Sequence, residues 1–479
     1  INAENMMIDM TGSGASGYGV VVQQGGLVNL TGDTTIKTDG GVAIRNAKVT
    51  SSSTGALLPG GNIVGTGKMN ITGDILSSGW GAIDLKMDAG SRLEGATYVE
   101  SDPAINAILN MDMTQSRWKM TKDSSMTNLT MNGSAVDFNT DLSGGTYGTL
   151  TVRNLDANAT SGFNMRADLT AGAEKSDELV VTGSSTGDYK INVHNMPTAT
   201  VDAAHEQLLV TDPGSATYSS YRLVEVGGYI FEVQPKDATQ EEWVLRSTGL
   251  APIPPDPTPN PDPTPTPTPA ANASIQAFNA SYLMNYAETQ TLLQRMGDLR
   301  QHEAGNQGGN DVWAHVYGGK FDSIRSGFSL GMDMNYTGVM AGIDRRFALK
   351  DNKGDFYVGA MFGYTKGEPN YWNGSGDVEN KSIGLYGTYM SPSGFYVDTI
   401  LKYGWMNGDY KVMDTQGMLV KADDMDSDGF HGSIEVGKRF HFNKQEKKGW
   451  YLEPQVQLSY GHESGGKSTA SSGLVVDVS

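Results

Sequence analysis

Residues 424–435 carry the one string whose spacing matches a known ion-binding loop. Asp424, Asp426, Asp428, Gly429 and Glu435 spell D-x-D-x-D-G-x5-E. In that spacing alternate carboxylates and a distal glutamate surround a calcium ion, with a glycine for the sharp turn. A calcium loop of this kind needs a helix on each side. Here Gly429 precedes a strand-like run, and Glu435 falls inside it on the same face as Arg439. The competing reading is a solvated acidic loop. Other chemistry is sparse. Residues 1–250 hold two histidines, His194 and His205, both toward their C-terminal end. There is no G-x-S-x-G elbow, P-loop, dinucleotide fingerprint or H-E-x-x-H pair. With no cysteine, thiolate nucleophiles, thiolate metal sites and disulfides are excluded together. The residues call for no cofactor.

The elements around these residues divide at a proline tract. Ten of the 18 prolines lie between Pro252 and Pro269. Proline fixes φ and lacks an N–H, so this segment reads as a stiff polyproline II spacer, residues 251–272. The 479 residues allow two or three domains, with 61 glycines and only 19% charged residues, a turn-rich β composition. A net charge of −19 opposes nucleic acid as a partner. No apolar run reaches the roughly 18 residues of a membrane helix. The start, "INAENMMIDM", has neither the basic nor the apolar part of a signal peptide, and it sits within a repeat-like pattern. The expectation is that further sequence precedes it.

Before the spacer, short β-like runs recur roughly every 20–25 residues, a solenoid-like period. Leu27–Asp33 and Lys68–Asp74 share the pattern x-x-N-φ-T-G-D. A parallel β-helix fits, with alternate side chains inside each coil. A β-sandwich is the alternative, though it needs hairpin signals, and Asn-Gly occurs before the spacer only at Asn132–Gly133.

After the spacer, residues 273–300 place Phe278, Tyr282, Tyr286, Leu292, Leu293, Met296 and Leu299 at helical spacing. The polar residues between them are unsuited to lipid but suit a polar lumen. From 311 the period becomes two. Phe395, Val397, Thr399, Leu401, Tyr403 and Trp405 form one face, with Tyr396, Asp398, Ile400 and Lys402 on the other. Seven strands are expected, near 311–322, 334–349, 355–367, 378–391, 394–412, 430–442 and 450–464. Short connections such as 443–449 alternate with long ones, 323–333, 366–376 and 411–429, as in outer-membrane barrels. A soluble antiparallel barrel is the alternative.

Several pieces resemble bacterial autotransporters. The run from Trp118 through Ser124 to Leu129, "GTLTV", "FNMRADL", "SDELVVTG" and "YKINVHN" resemble a pertactin-like passenger, and 221–247 resembles its end. "LLQRMGDLRQ…DVWAHVYGGKFD" (292–322) resembles the start of the translocator domain. The resemblance covers about 116–464. It implies an all-β chain: a right-handed parallel β-helix passenger over 1–250 with a cap or autochaperone region near 147–250, then the linker. A lumenal helix over 273–300 and an antiparallel transmembrane barrel over 311–479 follow. A family barrel has roughly twelve strands, so the C-terminus is expected to continue beyond this chain. The implied partners are outer-membrane lipid, the barrel-assembly machinery, periplasmic chaperones and an unnamed host or bacterial surface ligand. The implied function is self-export and surface display of an adhesin or aggregation factor. An exported hydrolase and a porin-like channel are the alternatives. Some family members also cut themselves at an Asn pair in the lumenal helix, aided by acidic barrel residues. The corresponding place here holds Gln290–Thr291. Asn279 and Asn285 are therefore the candidate cleavage points, and Asp398, Glu435 and Glu453 the candidate acids. The competing reading is that these residues simply line the lumen.

Overall fold

The structure is a computed structural model. It describes residues 1–12, 17–102, 104–138, 146–157, 161–195, 201–248, 266–301, 310–322, 330–442 and 450–478. Residues 251–265 of the spacer, and the connections at 323–329 and 443–449, lie outside the described residues. The chain forms two compact units, Ile1–Thr266 and Pro267–Ser479.

The first unit is a parallel coil. One sheet runs through Asn2–Glu4, Leu27–Thr31, Asn62–Gly67, Gly81–Met87, Ala107–Thr114, Ser124–Asn132 and Thr149–Ala157. A second runs through Met7–Met10, Thr34–Asn46, Met69–Ser77, Arg92–Glu94, Arg117–Met120, Ala135–Phe138, Ser161–Asp168 and Asp188–Asn195. Alternation puts every second side chain inside. In the second sheet one inward column reads Ile36, Ile71, Leu93, Trp118, Val136, Phe163, Ile191, all buried and paired in register. The coil needs no helix because β-branched, Leu and aromatic side chains fill this column rung by rung. At one corner Ser91, Ser116, Ser134 and Ser161 stack, buried. The hydroxyls of Ser91, Ser134 and Ser161 each accept a backbone N–H from a neighbouring coil, and that of Ser116 donates to the Asp88 carbonyl at 3.1 Å. Gly90 and Gly133 make the adjoining turns at φ +82° and +63°, where a β-carbon is disfavoured.

One repeat expected from sequence is not a coil repeat. Leu27–Thr31 lies in the first sheet and Met69–Ser77 in the second. Similar strand-and-turn chemistry serves both faces, so local similarity does not give the period. In the first sheet the true equivalents are Asn29, Val64, Asp84, Asn110, Asn128 and Asn154.

The coil ends by changing hand of pairing. Gln207–Thr211 pairs parallel to Glu178–Val181, but Glu242–Ser247 and Tyr229–Pro235 then add antiparallel. Beneath this end Tyr189 stacks on Tyr218, and Trp243 meets Tyr218 edge-on, each pair with centroids 5.4 Å apart. A hairpin end covers apolar core that an open coil would expose.

Among the described residues the second unit holds one α-helix, α1 (Pro269–Gln301), a seven-stranded antiparallel sheet, and the short strand pairs Phe440–His441 with Tyr451–Leu452 and Gly466–Thr469 with Val475–Val478. The strands of the large sheet are Asn310–Asp322, Asp333–Ala348, Asp355–Tyr371, Gly374–Met390, Phe395–Met413, Leu419–Lys438 and Gln455–Glu463. The helix begins four residues earlier than its apolar period implies. Thr268 caps it by accepting the Ala271 N–H at 3.1 Å, and Pro269 sits at the first position, where proline costs nothing. The end of the proline tract is thus the start of the helix. Among the described residues no helix is long and apolar enough to cross a membrane, which leaves crossing by strands open.

Two expected long connections are instead strand. Tyr371 pairs with Gly374, and Met413 with Leu419, so the turns shrink to two and five residues. Polar sequence hid the alternation there. Tyr371, Val378, Tyr410, Val412, Val420 and Met425 all point inward and pack with Ala270, Ala273, Ala277 and Phe278 of α1. On the other face Leu401, Tyr403, Trp405 and Ile434 are exposed.

Candidate functional site at the helix–wall contact

α1 touches all of the first six strands on one side of the sheet. Its buried stripe is polar: Ser281, Asn285, Glu288 and Arg295 recur at i, i+4, i+7 and i+14, one face of a helix. Each meets a partner on the wall.

Glu288 is fully buried. Its carboxylate accepts from Thr365 Oγ1 at 2.6 Å, Ser382 Oγ at 2.7 Å, and Asn380 Nδ2 and Lys402 Nζ, each at 2.9 Å. All four donors come from inward positions of three neighbouring strands. One turn below the pair with Lys402 lies Asn285, also buried. Its backbone carbonyl accepts from Lys402 Nζ at 2.8 Å and from Thr289 Oγ1 at 2.9 Å. Its side-chain Nδ2 donates to Glu463 Oε1 at 2.8 Å, and its Oδ1 accepts from Asn380 at 3.1 Å. Glu463 also meets His431 Nε2 at 2.7 Å. Two turns on, Arg295 pairs with Asp344 at 3.0 Å, and Tyr386, itself bonded to Trp313, donates to the same carboxylate at 2.7 Å.

Buried charge is tolerated only when paired and hydrogen-bonded. This stripe meets that condition group by group, so it specifies the height and rotation of α1 against the wall. It also sets two charged groups against Asn285. One carboxylate oxygen stands at the side-chain amide proton, and an ammonium stands at the carbonyl oxygen of the same residue.

The other sequence candidates lie elsewhere. Asn279 is on the exposed side of α1 and bonds Gln276 at 3.4 Å. Asp398 and Glu435 are directly opposed neighbours on the wall, with Glu435 bonded to Tyr396 at 2.9 Å. Four residues of strand separate Asp398 from Lys402, about 13 Å along the wall. Glu453 pairs with Arg439 beyond that. These acids sit at the wrong height for Asn285. Glu288, Lys402 and Glu463 occupy that level. The available signal was the polar stripe of α1 together with Lys402 on the inward face.

Asp424, Asp426 and Asp428 fall within the strand Leu419–Lys438, not in a loop. Successive carboxylates at i, i+2 and i+4 on a strand spread over about 13 Å instead of converging. Asp426 bonds Asn407 at 2.8 Å, and Asp428 bonds Ser464 at 2.8 Å and Tyr403. Among the described residues no group of three or more His, Asp or Glu is placed to hold a metal ion.

In the passenger, His194 Nε2 lies 3.1 Å from the amide of Asn192, and His205 Nε2 lies 3.2 Å from Gln207 Oε1. Burial lowers the pKa of His194 from its ordinary value. On the outer surface of the first sheet, Asp84, Asn110, Asn128 and Asn154 form a ladder with steps of 2.5, 2.6 and 2.7 Å.

Comparison with known proteins now bears on these two units. The family model of the autotransporter beta-domain matches residues 312–479, and the pertactin model matches 126–247. The probable autotransporter YcgV of Escherichia coli K12 is 37% identical over 433 residues, 85% of this chain and 44% of that protein. The BrkA autotransporter of Bordetella pertussis is 28% identical over 417 residues, 85% of this chain and 37% of its own. A serine protease sat autotransporter of Escherichia coli O6:H1 is 28% identical over 363 residues, 74% of this chain and 25% of that protein. The chain thus spans less than half the length of these curated relatives. It belongs to the autotransporter family, joining a pertactin-type β-helical passenger to an autotransporter β-domain, and its place is the bacterial outer membrane with the passenger at the cell surface.

Proposed function

We propose that this protein exports its own passenger through its β-domain and that the displayed passenger acts by binding, as an adhesin or aggregation factor. The observation that carries this reading is the passenger's rung-by-rung polar ladder, Asp84 to Asn154, on a rigid apolar-cored coil. Regular faces present many weak contacts at once, and display on a cell multiplies them. Assembly would use the barrel-assembly machinery and periplasmic chaperones, with an outside ligand on a host or bacterial surface. The test is display of the full-length protein on a non-adherent bacterium, scoring attachment to host cells and to other bacteria. Increased attachment is expected. Unchanged attachment, with hydrolysis of a peptide, ester or glycan by the passenger, favours an exported hydrolase, the activity that the name of the sat relative carries.

A second reading is favoured by the contacts of Asn285: the β-domain cuts its own chain between Asn285 and Tyr286. Glu463 takes a proton from Nδ2, which attacks the Asn285 carbonyl carbon. Lys402 stabilises the oxygen as charge develops. The C–N bond to Tyr286 breaks, the amine leaves with a proton, and a succinimide remains to be hydrolysed by water. Mass spectrometry should find a β-domain fragment beginning at Tyr286, absent in Asn285→Ala and strongly reduced in Glu463→Gln. Normal cutting in both variants would refute the assignment.

A further inference from the structure

The outer face of the second passenger sheet carries an unbalanced basic cluster. Arg92 and Arg117 are direct register partners on adjacent coils. Strand spacing puts their backbones about 4.8 Å apart. Like charges directly opposite are destabilising, so the pairing is costly unless something answers it. Asp137, one coil further, answers Arg117. The Arg92 side chain is exposed and makes no ion pair or hydrogen bond among the described residues. Lys68, one coil before, is exposed and equally unpaired among them, and its Cε lies 3.7 Å from the β position of Gly90. Two free cations therefore flank a corner of a chain whose net charge is −19.

This corner is also concave. A shallow open cavity of ≈ 260 Å³ is lined by Arg92, Arg117 and Gln115, with Gly90, Gly133 and Ala135 among the small residues of its floor. The column of side chains drops from Arg92 and Arg117 to Ala135 and then Gly162. That drop makes a step beside the guanidinium groups. Arginine's planar fork matches carboxylate and sulfate oxygens. Gln115 adds an amide suited to hydroxyl groups.

We propose that this groove binds an acidic polysaccharide, its carboxylate or sulfate held by Arg92 with Lys68, and its sugar lying in the step beside Arg117. Among the described residues no aromatic ring lines the groove, so base stacking, which single-stranded nucleic acid uses, has no platform here. A polymer rather than a small anion fits an open groove on a face that continues coil after coil. The proposal rests on the reading that the passenger acts by binding, and it names the ligand class for that reading.

The experiment displays the full-length protein on a non-adherent bacterium and measures binding of fluorescent dextran sulfate, polygalacturonate and neutral dextran, per displayed molecule. Dextran sulfate and polygalacturonate separate sulfate from carboxylate recognition. Neutral dextran should not bind. Arg92→Glu should lower affinity for the bound polyanion at least tenfold, and Arg92→Lys should fall between. Lys86→Glu makes the same charge change on the opposite sheet and should have little effect. Because the Arg92 side chain is exposed and unpaired, its variants should be displayed at normal levels, and Arg92→Glu, which sets an opposite charge beside Arg117, should unfold no earlier than the parent. Equal losses in Arg92→Glu and Lys86→Glu would show general charge attraction and overturn the groove. Absence of polyanion binding would also overturn it. If such cells still attach to hosts, the binding reading of the passenger survives that loss. If attachment is absent as well, both fall.

Discussion

Removing the ammonium of Lys402 tests the helix–wall contact most directly. Lys402 and Glu288 are 1% and 0% exposed and 2.9 Å apart. In Lys402→Met the Glu288 carboxylate keeps three neutral donors, from Thr365, Asn380 and Ser382, but no counter-charge. Breaking a buried pair from one side costs about 3–5 kcal/mol, because a charge is left unanswered. Glu288→Gln strands the ammonium and should cost a similar amount. In the double variant no buried charge remains at this level, and the Gln amide meets the same three side chains. The remaining loss is chiefly the bond from Lys402 to the Asn285 carbonyl, about 1 kcal/mol. Additivity of the singles would give roughly 6–10 kcal/mol, so the expected double-variant loss of ~1–2 kcal/mol is a strong coupling. The assay is urea unfolding of the full-length protein in detergent, following the folded β-domain by its gel mobility without heating. A double variant as unstable as the sum of the singles would refute the reasoning. So would a Lys402→Met protein indistinguishable from the parent.

Other outcomes follow from single sites. Trp118→Ala should destabilise the passenger by about 3–5 kcal/mol in urea, since the indole is fully buried and its N–H bonds Gly95 O at 2.9 Å. Burial, with Asp212 nearby, raises the pKa of Tyr189 and Tyr218 above the ordinary phenol value. Both phenols stay protonated when folded while the unfolded chain ionises from about pH 10, so passenger stability should fall above pH 10 by about 1.4 kcal/mol per pH unit per tyrosine. Tyr218→Phe should flatten that slope, and an unchanged slope would reject the assignment. Protease added to intact cells should cut at the turn 414–418 and spare 419–428, because those residues are paired strand. Cutting within 419–428 would mean the hairpin is open at the cell surface.

Much of the architecture was legible in the alternation of side chains. In 395–405 it assigned Tyr396, Ile400 and Lys402 to one face and Leu401, Tyr403 and Trp405 to the other, and the burial pattern agrees. The polar stripe of α1 was equally visible, because 3.6-residue spacing sets a helix face locally. Where polar residues occupied outward positions, as around 373–377 and 421–426, the same signal faded and strands read as loops. The Asp424–Asp428 string looked like a loop for the same reason.

Sequence by itself therefore determined which faces exist: an apolar-cored coil, a polar helix and a two-faced wall. The tertiary structure decided which side chains share a level. Alternation tells whether a residue points inward but not its height along the wall, which depends on strand register, nor the turn of α1 it meets. Asp398, Glu435 and Lys402 all point inward, yet of the three Lys402 alone bonds Asn285. Glu288 and Lys402 are 114 residues apart, and Asn285 and Glu463 are 178 apart. Only the accumulated hydrogen-bond register of the strands between them brings those pairs within 3 Å, and no local propensity encodes that sum.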